Sequence, residues 1–400
     1  MSATETDKSV NFRPTGNAGL MLGILGMIGA CALIFGGGAD AKTMLHSYLF
    51  GWSLFLALAL GCLGVTLLHH VTRGSWSLSI LRLCEAGGGA GAFTLLAIAF
   101  LPILAKMDVV YKKWMKFDPA DTIIANKEAW LNQNAFILRF ALYFLFWIGI
   151  AYFMRRSSLR QDESQDINEQ HRRTNWGAPG LVLYVVSITL ASTDFFMSLD
   201  PHWFSTMFGP LYMIVGANMA IALMTAVVCF NAAKAPYNSI MSKDVSRDLG
   251  NLTFAFTMLW IYFTLSQFII IWSGNLPEFI SFYDKRQHSS AFLLYLGSAN
   301  VILGWFIPWM TLLAPRTKAN FRLLGTVAIS IFFLRFIDIY WNIMPFMRGG
   351  EVLPTYTDLV ALVAIGGLWL GAFGLASAKA KLIPAHDTRL EEALSHVHAH

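Results

Sequence analysis

Ten long apolar runs constrain this chain more than any other feature of its sequence. Each has about 20 residues or more, the length that spans roughly 30 Å of hydrocarbon at 1.5 Å per residue. A spanning segment must satisfy its own backbone, and no run alternates like a barrel strand. We therefore predict an all-α integral membrane protein with ten transmembrane helices, at approximately 17–36, 46–70, 77–105, 132–154, 177–198, 207–230, 250–273, 291–314, 322–346 and 356–378.

The composition supports a lipid environment and argues against nucleic acid as a partner. Charged residues make up 13% of the chain and hydrophobic residues 56%, whereas soluble domains are about 25% charged. That much apolar surface cannot be buried inside one globule of this size. The net charge of +5 is then best placed in cytoplasmic loops.

The cysteine and histidine patterns argue against a cofactor bound by the chain itself. All four cysteines lie in apolar runs without a CxxC or CxxCH motif, which is typical of small buried thiols. Haem b needs histidines at one depth on facing helices, but only His46, His69 and His70 touch a predicted helix, at opposite ends of the same one. We expect no metal and no covalently bound cofactor.

The distribution of Lys and Arg predicts the orientation. With both termini in the cytoplasm, the tails (1–16 and 379–400) and the loops after helices 2, 4, 6 and 8 hold 17 of the 29 basic residues, against 9 in the opposite loops. Positive loops tend to stay in the cytoplasm. We interpret 155–176 as a solvated cytoplasmic loop, and 106–131 as an outer amphipathic segment or a solvated loop.

Six ionisable side chains lie deep in the predicted helices, where insertion costs about 2.5 to 3.5 kcal/mol each. Helical rise and the predicted orientation divide them, with two histidines, into an inner and an outer cluster that together resemble two proton half-channels. The inner cluster has Arg82, Glu85, His69 and His70, and the outer cluster has Asp194, Arg139, Arg335 and Asp338.

Spacing separates structural from functional interpretations of these charges. Arg82 with Glu85 and Arg335 with Asp338 are spaced i, i+3, so each pair can neutralise itself and simply hold helices together. Arg139 and Asp194 have no partner on their own helix. We therefore favour Asp194 as an outer-half proton carrier, provided that desolvation outweighs a nearby arginine.

A polar turn follows the fifth predicted helix at the outer side. Asp200 and Pro201 have the order of a helix cap and a first helical residue. His202 and Trp203 are typical of residues at a membrane interface, and we favour that interpretation over a metal ligand.

Three stretches resemble one known family. They are 187–212 (SITLASTDFFMSLDPHWFSTMFGPLY), 266–279 (SQFIIIWSGNLPEF) and 333–345 (FLRFIDIYWNIMP). They are similar to the F subunit, also labelled quinone-binding subunit 2, of bacterial alternative complex III, a quinol to cytochrome c or cupredoxin oxidoreductase. Asp194, Asp200, His202, Arg335 and Asp338 match the family pattern, whereas Arg82, Glu85 and Arg139 rest on their depth alone.

The resemblance implies an NrfD-like fold in which helices 2–5 (about 46–198) and 6–9 (about 207–346) form two four-helix bundles flanked by helices 1 and 10. It also implies a bacterial inner-membrane location. Partners would be a multihaem cytochrome c, an iron-sulfur protein, a second NrfD-like subunit and the quinone pool. Haem c and iron-sulfur clusters would then reside on partners, with menaquinone as a possible ligand of this chain.

The leading hypothesis is a cofactor-free subunit, either non-catalytic or quinone-binding, that couples quinol oxidation in the respiratory or photosynthetic chain to proton movement. A secondary transporter is the first alternative, although the sequence shows no glycine or proline breaks at matched positions of its two halves. A purely structural membrane anchor is the second, although such an anchor would not need the lone charges Asp194 and Arg139.

The predicted orientation can be tested at Ser164. A cysteine at this position should resist a membrane-impermeant thiol reagent in intact cells and react after permeabilisation, because the positive segment around it is expected in the cytoplasm. Ready labelling in intact cells would show that this segment lies outside the cytoplasm and would contradict the predicted orientation.

Overall fold

Ten helices in the structure are long and apolar enough to cross a membrane, which confirms the predicted all-α membrane fold. The computed structural model describes residues 9–72, 74, 77–287, 290–349, 352–384 and 386–387. The spans are α1 (Arg13–Phe35), α2 (Ala41–Thr72), α3 (Leu78–Ala105), α4 (Gln133–Ser164), α5 (Ile167–Leu199), α6 (Phe208–Phe230), α7 (Lys243–Gly274), α8 (Ala291–Leu313), α9 (Phe321–Met347) and α10 (Tyr356–Ala378).

Three spans are not continuous α-helices. α3 consists of Leu78–Gly87, Ala90–Ala99 and Leu101–Ala105, with its first interruption at the glycine run 87–89. α8 consists of Ala291–Val301, the π-helical segment Ile302–Phe306 and Ile307–Leu313. α5 is α-helical over Ile167–Phe195 and ends in the 3₁₀ turn Met197–Leu199. Such interruptions are common at functional sites.

Short helices cover both ends of the helix bundle. We call the end that carries 106–132 the outer end, following the predicted orientation, and the opposite end the inner end. The outer end carries Met107–Val110, Lys112–Met115, Thr122–Ala125 and the outer interfacial helix Pro277–Gln287. The inner end carries the 3₁₀ turn Tyr237–Ser239 and the helix Pro315–Ala319.

The second span lies at the centre of the bundle. α2 packs against α3, α5, α6, α9 and α10, and its most apolar window is 94% buried, against 22% for α1, α7 and α8. α3 contacts α2 and α4, and α5 contacts α4 and α2. α6 contacts α2, α7 and α9. α1 and α10 form a separate pair that lies against α2.

Glycines set the closest helix contacts. α1 meets α10 through Gly16, Gly19 and Gly23, which lie against Gly374, Gly371 and the Gly367–Leu368 backbone. Small residues on facing helices allow the backbones to approach closely. In lipid the hydrophobic effect does not drive helices together, so the van der Waals contacts of this close approach stabilise the pair. At Gly61 in α2 an added Cβ would overlap the carbonyl of Gly216 in α6, so the central contact has the same origin.

The interpretation of 155–176 as a solvated loop is wrong. α4 continues to Ser164 and α5 begins at Ile167, so the segment is a helical hairpin with a short turn. Ser157 donates to the Glu169 carboxylate at 2.6 Å, and Arg173 donates to Gln161, all within buried surroundings. These polar groups satisfy one another across the hairpin, which is why a polar sequence stays folded here.

The predicted tails and outer connection also differ in part from the structure. α1 begins at Arg13, so the end of the expected tail 1–16 is helical. Residues 1–8 and 388–400 of the tails lie outside the described residues, as does Arg73. The connection 106–131 is not a simple solvated loop, because Tyr111 and Trp114 are buried beneath its short helices.

Two glycines of α1 offer a matched test of the packing. Gly23→Ala should destabilise the protein by about 1 to 3 kcal/mol, because its Cβ would overlap the backbone of α10. Gly29→Ala in the same helix should not, because nothing lies within 4 Å of the added Cβ. Thermal denaturation of both variants in detergent checks this. Equal midpoints would contradict a close contact between α1 and α10.

Candidate functional site

The buried charges of the spans form three clusters in the structure rather than two. We name them by their carboxylates: the Glu85 cluster at the inner end, the Asp194 cluster between α4 and α5, and the Asp338 cluster between α7, α8 and α9. The expected outer cluster is therefore divided. No described contact joins Asp194 to Asp338, because Asp194 faces α4 while Asp338 faces α8.

The Glu85 cluster centres on one guanidinium. Arg82 donates to Glu85 Oε2 at 3.0 Å, to Asp162 Oδ2 at 2.5 Å and to the Ser158 carbonyl at 3.2 Å. Arg82 and Glu85 are 2% and 3% exposed. Glu85 lies on the same helix as Arg82. Asp162 comes from the part of α4 that is predicted to be a loop, and together with the Ser158 carbonyl it links Arg82 of α3 to α4.

Two histidines complete the inner end of α2. His69 Nδ1 shares a 2.5 Å hydrogen bond with the hydroxyl of Ser77, and the rings of His69 and His70 are 5.1 Å apart. Both side chains are buried. The structure thus places them at the end predicted for them, beside the start of α3.

Asp194 is held by four hydrogen bonds. Oδ1 accepts from the Trp130 indole at 2.8 Å and from Arg139 Nη2 at 3.0 Å, and Oδ2 accepts from Arg139 Nε and from the Tyr143 hydroxyl, each at 2.8 Å. The Arg139 guanidinium also stacks on the Trp130 ring, 4.1 Å from its centroid. A two-point contact with an arginine is among the stronger side-chain interactions in proteins. This geometry suits a structural ion pair.

Arg335 does not pair with Asp338 directly, although the two are three residues apart. In the described contacts Arg335 donates to the Gly304 carbonyl at 2.9 Å and lies 3.5 Å from the centroid of the Trp260 ring. Gly304 belongs to the π-helical segment of α8, and an added Cβ there would overlap Arg335 Nη2. The missing side chain and the widened helical turn together admit the guanidinium.

Asp338 is less completely satisfied than Asp194. Its Oδ1 accepts from the Asn300 amide at 3.0 Å. Oδ2 has no described hydrogen-bond partner within 3.5 Å, although the Trp260 indole is close enough to interact with the carboxylate. The Asn300 Oδ1, Asn342 Oδ1 and Trp260 Nε1 atoms are also buried without a described partner within that distance. Such groups are rare in folded proteins and call for an explanation.

A cavity of about 320 Å³ lies beside these polar residues. Asp338, Asn300, Asn342 and Trp260 line one part of it, and Tyr283 and Arg286 of the outer interfacial helix line another. The remaining wall is largely apolar, with Leu265, Phe268 and Leu294 from α7 and α8. A cavity this large with several polar walls has room for ordered water. The cavity connects the Asp338 cluster to the outer end.

Arg286 lies in the wall of this cavity, and no carboxylate of the described residues forms an ion pair with it. It donates to the carbonyls of Phe282, Trp341 and Asn342 at 2.5 to 3.0 Å and stacks on the Phe282 ring at 3.5 Å. Burial lowers the pKa of the Arg286 guanidinium to about 9, against the opposing charges of Tyr283 and Asp200. The side chain is therefore still a cation at neutral pH.

The outer turn does not begin a helix as expected. Asp200 instead forms ion pairs with Lys113 at 3.0 Å and with Lys285, and the next helix starts at Phe208. Burial would raise the pKa of Asp200, but the hydrogen bonds from Lys285 and Lys113 hold it below its usual range. Asp200 thus stays ionised at neutral pH and ties 106–132 to the outer interfacial helix.

His202 and Trp203 separate at the same turn. His202 Nε2 lies 2.7 Å from Asp121 Oδ2 and is exposed, as an interfacial residue would be. Trp203 is 1% exposed and stacks on Phe282 of the outer interfacial helix at 4.5 Å, so it is packed inside the outer end. Among the described residues, no group of three His, Cys, Asp or Glu side chains has a metal-binding arrangement.

Sequence reasoning missed the neutral partners of these charges. The uncharged donors Trp130, Tyr143 and Asn300 contribute to how far each carboxylate is satisfied. Asn300 and Asn342 in apolar runs carry the only available signal, because an amide is also costly in a span. Asn300 is 38 residues from Asp338 in the sequence, so the sequence does not indicate that the two are in contact.

The Asp194 cluster predicts a specific stability change. Asp194→Asn should leave Arg139 without a counter-charge and destabilise the protein by about 3 to 5 kcal/mol, the usual effect of breaking a buried pair. The thermal midpoint in detergent measures this, with the exposed Asp244→Asn as control. An unchanged midpoint would contradict a structural role for this ion pair.

Comparisons with known proteins do not narrow the assignment. No protein-family model matches the chain, and no curated protein matches it significantly. The structure itself shows an all-helical, multi-pass membrane protein with ten helices long and apolar enough to span a membrane.

Proposed function

We propose that this chain is a cofactor-free membrane subunit of a quinol to cytochrome c or cupredoxin oxidoreductase, and that its buried charges couple quinol oxidation to proton movement. The motifs at 187–212, 266–279 and 333–345 support the assignment by resemblance. The haem and iron-sulfur centres of such a complex would lie on partner subunits, in the inner membrane of a bacterium.

One observation carries the coupling role: a buried, partly satisfied carboxylate lies in the wall of a cavity that extends to the outer interfacial helix. Asp338 is 3% exposed, and Oδ2 has no described hydrogen-bond partner within 3.5 Å. A carboxyl can exchange protons only where water or another carrier reaches it, and the cavity beside Asp338 has room for such a carrier. Asp338 is therefore a better proton carrier than Asp194, whose two oxygens are both taken.

Arg335 tunes this carboxylate without locking it. The guanidinium is held by the Gly304 carbonyl and the Trp260 ring, so its charge lies near Asp338 without a direct ion pair. A nearby cation favours ionisation, while burial opposes it. These opposing effects suit a group that must both load and release a proton.

The Glu85 cluster is the corresponding candidate at the inner end. Glu85 Oε1 and Arg82 Nε have no hydrogen-bond partner among the described groups, while the other oxygen of Glu85 accepts from Arg82. A partly satisfied carboxylate thus occurs at each end of the bundle. A quinone headgroup in the Asp338 cavity is compatible with its apolar wall and polar end, and menaquinone is the ligand that the resemblance suggests.

A secondary transporter is the second candidate. The interruption of α3 at 87–89 and the π-helical segment Ile302–Phe306 of α8 place one broken span in each half of the chain. Broken spans are frequent in transporters, where they line the substrate site. Partner composition distinguishes this function from the proposed one.

The proposed function requires redox partners. A tagged chain purified in mild detergent should bring a multihaem cytochrome and an iron-sulfur protein with it, and the preparation should oxidise quinol. Purification of the chain alone, from membranes whose quinol oxidation survives its deletion, would favour the transporter.

Within the assembled complex, Asp338→Asn should lower the number of protons translocated per electron, because the amide keeps the hydrogen bond from Asn300 as an acceptor but cannot titrate. Asp338→Glu should retain part of the coupling, and the exposed Asp244→Asn should retain all of it. The ratio is measured in proteoliposomes. Full coupling in an assembled Asp338→Asn complex would contradict the role of this residue.

A further inference from the structure

A second large groove lies at the opposite end of the molecule from the Asp338 cavity. It has a volume of about 730 Å³ and runs between α3, α4 and α10. Its floor consists of small residues, including Gly91 and Ala376, and its apolar wall includes Leu95 and Leu375. A smooth apolar channel of this kind between spanning helices suits an acyl chain.

Basic side chains gather at the inner mouth of this groove. Arg155, Arg156 and Arg160 come from α4, and Lys379 follows α10. Glu163 is the carboxylate in the lining, and Glu85 of α3 attracts Arg155 from beside it. Arg160 forms an ion pair with Glu169 at 3.6 Å. The arginine side chain is about half exposed, so the pair is weak. The groove thus combines an apolar channel with an excess of positive charge at one end.

Arg155 is the most deeply placed of these cations and is only partly satisfied. Its Nη2 donates to the Ala376 carbonyl at 2.7 Å, while Nη1 is buried with no hydrogen-bond partner among the described groups. Arg155 lies 22 residues after the outer start of α4, or roughly 33 Å along the helix, which is about the thickness of the hydrocarbon core. The guanidinium is therefore at headgroup level.

Backbone donors lie slightly deeper in the same groove. The second segment of α3 starts at Ala90 after Gly89, and no side chain caps it. The first N–H groups of a helix lack intrahelical acceptors and carry partial positive charge. Ala90 lies five residues, or about 7 Å, beyond Glu85 toward the outer end. This depth suits the ester carbonyls of a phospholipid whose phosphate is at the arginines.

We propose that the groove between α3, α4 and α10 binds an anionic membrane phospholipid, with its phosphate at Arg155, Arg156 and Lys379 and an acyl chain along Leu95 and Leu375. Basic pockets between spanning helices at the cytoplasmic side are suited to such headgroups. The site does not depend on the proposed redox role, since it rests on charge, depth and shape at another part of the molecule.

The charge of the site is tested with a triple variant of exposed residues. Arg156→Gln, Arg160→Gln and Lys379→Gln are combined in the full chain, and Arg172→Gln, Lys234→Gln and Arg322→Gln form a control with the same net charge. Native mass spectrometry follows the binding of added phosphatidylglycerol and phosphatidylcholine to delipidated protein. The wild type should prefer phosphatidylglycerol, and the groove variant should bind it about 100-fold more weakly, since each basic residue near a membrane surface contributes about fivefold.

The shape of the site is tested separately, without loss of charge. Gly91→Leu should block the groove, because Gly91 lines it and nothing lies within 4 Å of an added Cβ. Gly149→Leu on α4 has equally open space but lies outside the groove, so it should bind normally. Thermal midpoints equal to that of the wild type establish that the variants are folded.

Three results would overturn the proposal. They are equal affinity for the two lipids in the wild type, equal loss in the groove and control charge variants, and normal lipid binding by Gly91→Leu. Millimolar inorganic phosphate distinguishes the source of the anion. It should leave lipid binding unchanged, and displacement of the lipid by free phosphate would reassign the site to a soluble anion.

Discussion

A charge inside hydrocarbon must find its partners within the protein, and this constraint organises the whole bundle. Water is absent from the bilayer core, so an unpaired ion or amide there is strongly unfavourable. Arg82 meets the constraint with two carboxylates, and Asp194 meets it with four donors. Asp338 meets it only in part. The three clusters differ in how completely each carboxylate is satisfied, and we argue that their functions differ for the same reason.

The close helix contacts provide the frame that holds these clusters at fixed positions. α2 is buried on nearly every side because Gly61 lets it approach α6 and because α10 covers another face. α4, α7 and α8 are more exposed to lipid, and they carry the partners of the buried charges, such as Tyr143 and Asn300. The rigid centre therefore lies beside less tightly packed helices, and the cavities occur between the latter.

The sequence predicts the spans well, because the mean hydropathy of a segment of about 20 residues is enough to decide whether it can cross the bilayer. It predicts the interruptions poorly: the glycines at 87–89 are visible, but the π-helical turn at Ile302–Phe306 depends on Arg335, which is distant in sequence. The segment 155–176 was misinterpreted for a related reason. Its polar residues satisfy one another across a helical hairpin, and hydropathy cannot distinguish such residues from solvated ones.

The candidate sites show the same division between local and long-range information. Burial of Asp194 and Asp338 follows from their positions in apolar runs, so both were identified as candidates. Their different states follow from Trp130, Tyr143 and Arg139 around one carboxylate and from Asn300 and an open cavity beside the other.

The basic residues at the inner end carry information of both kinds. In the sequence they indicate orientation, and because α4 stays helical through Arg155 and Arg160, the same charges line one side of a groove. A single set of arginines can thus direct insertion during synthesis and hold a lipid headgroup in the folded protein.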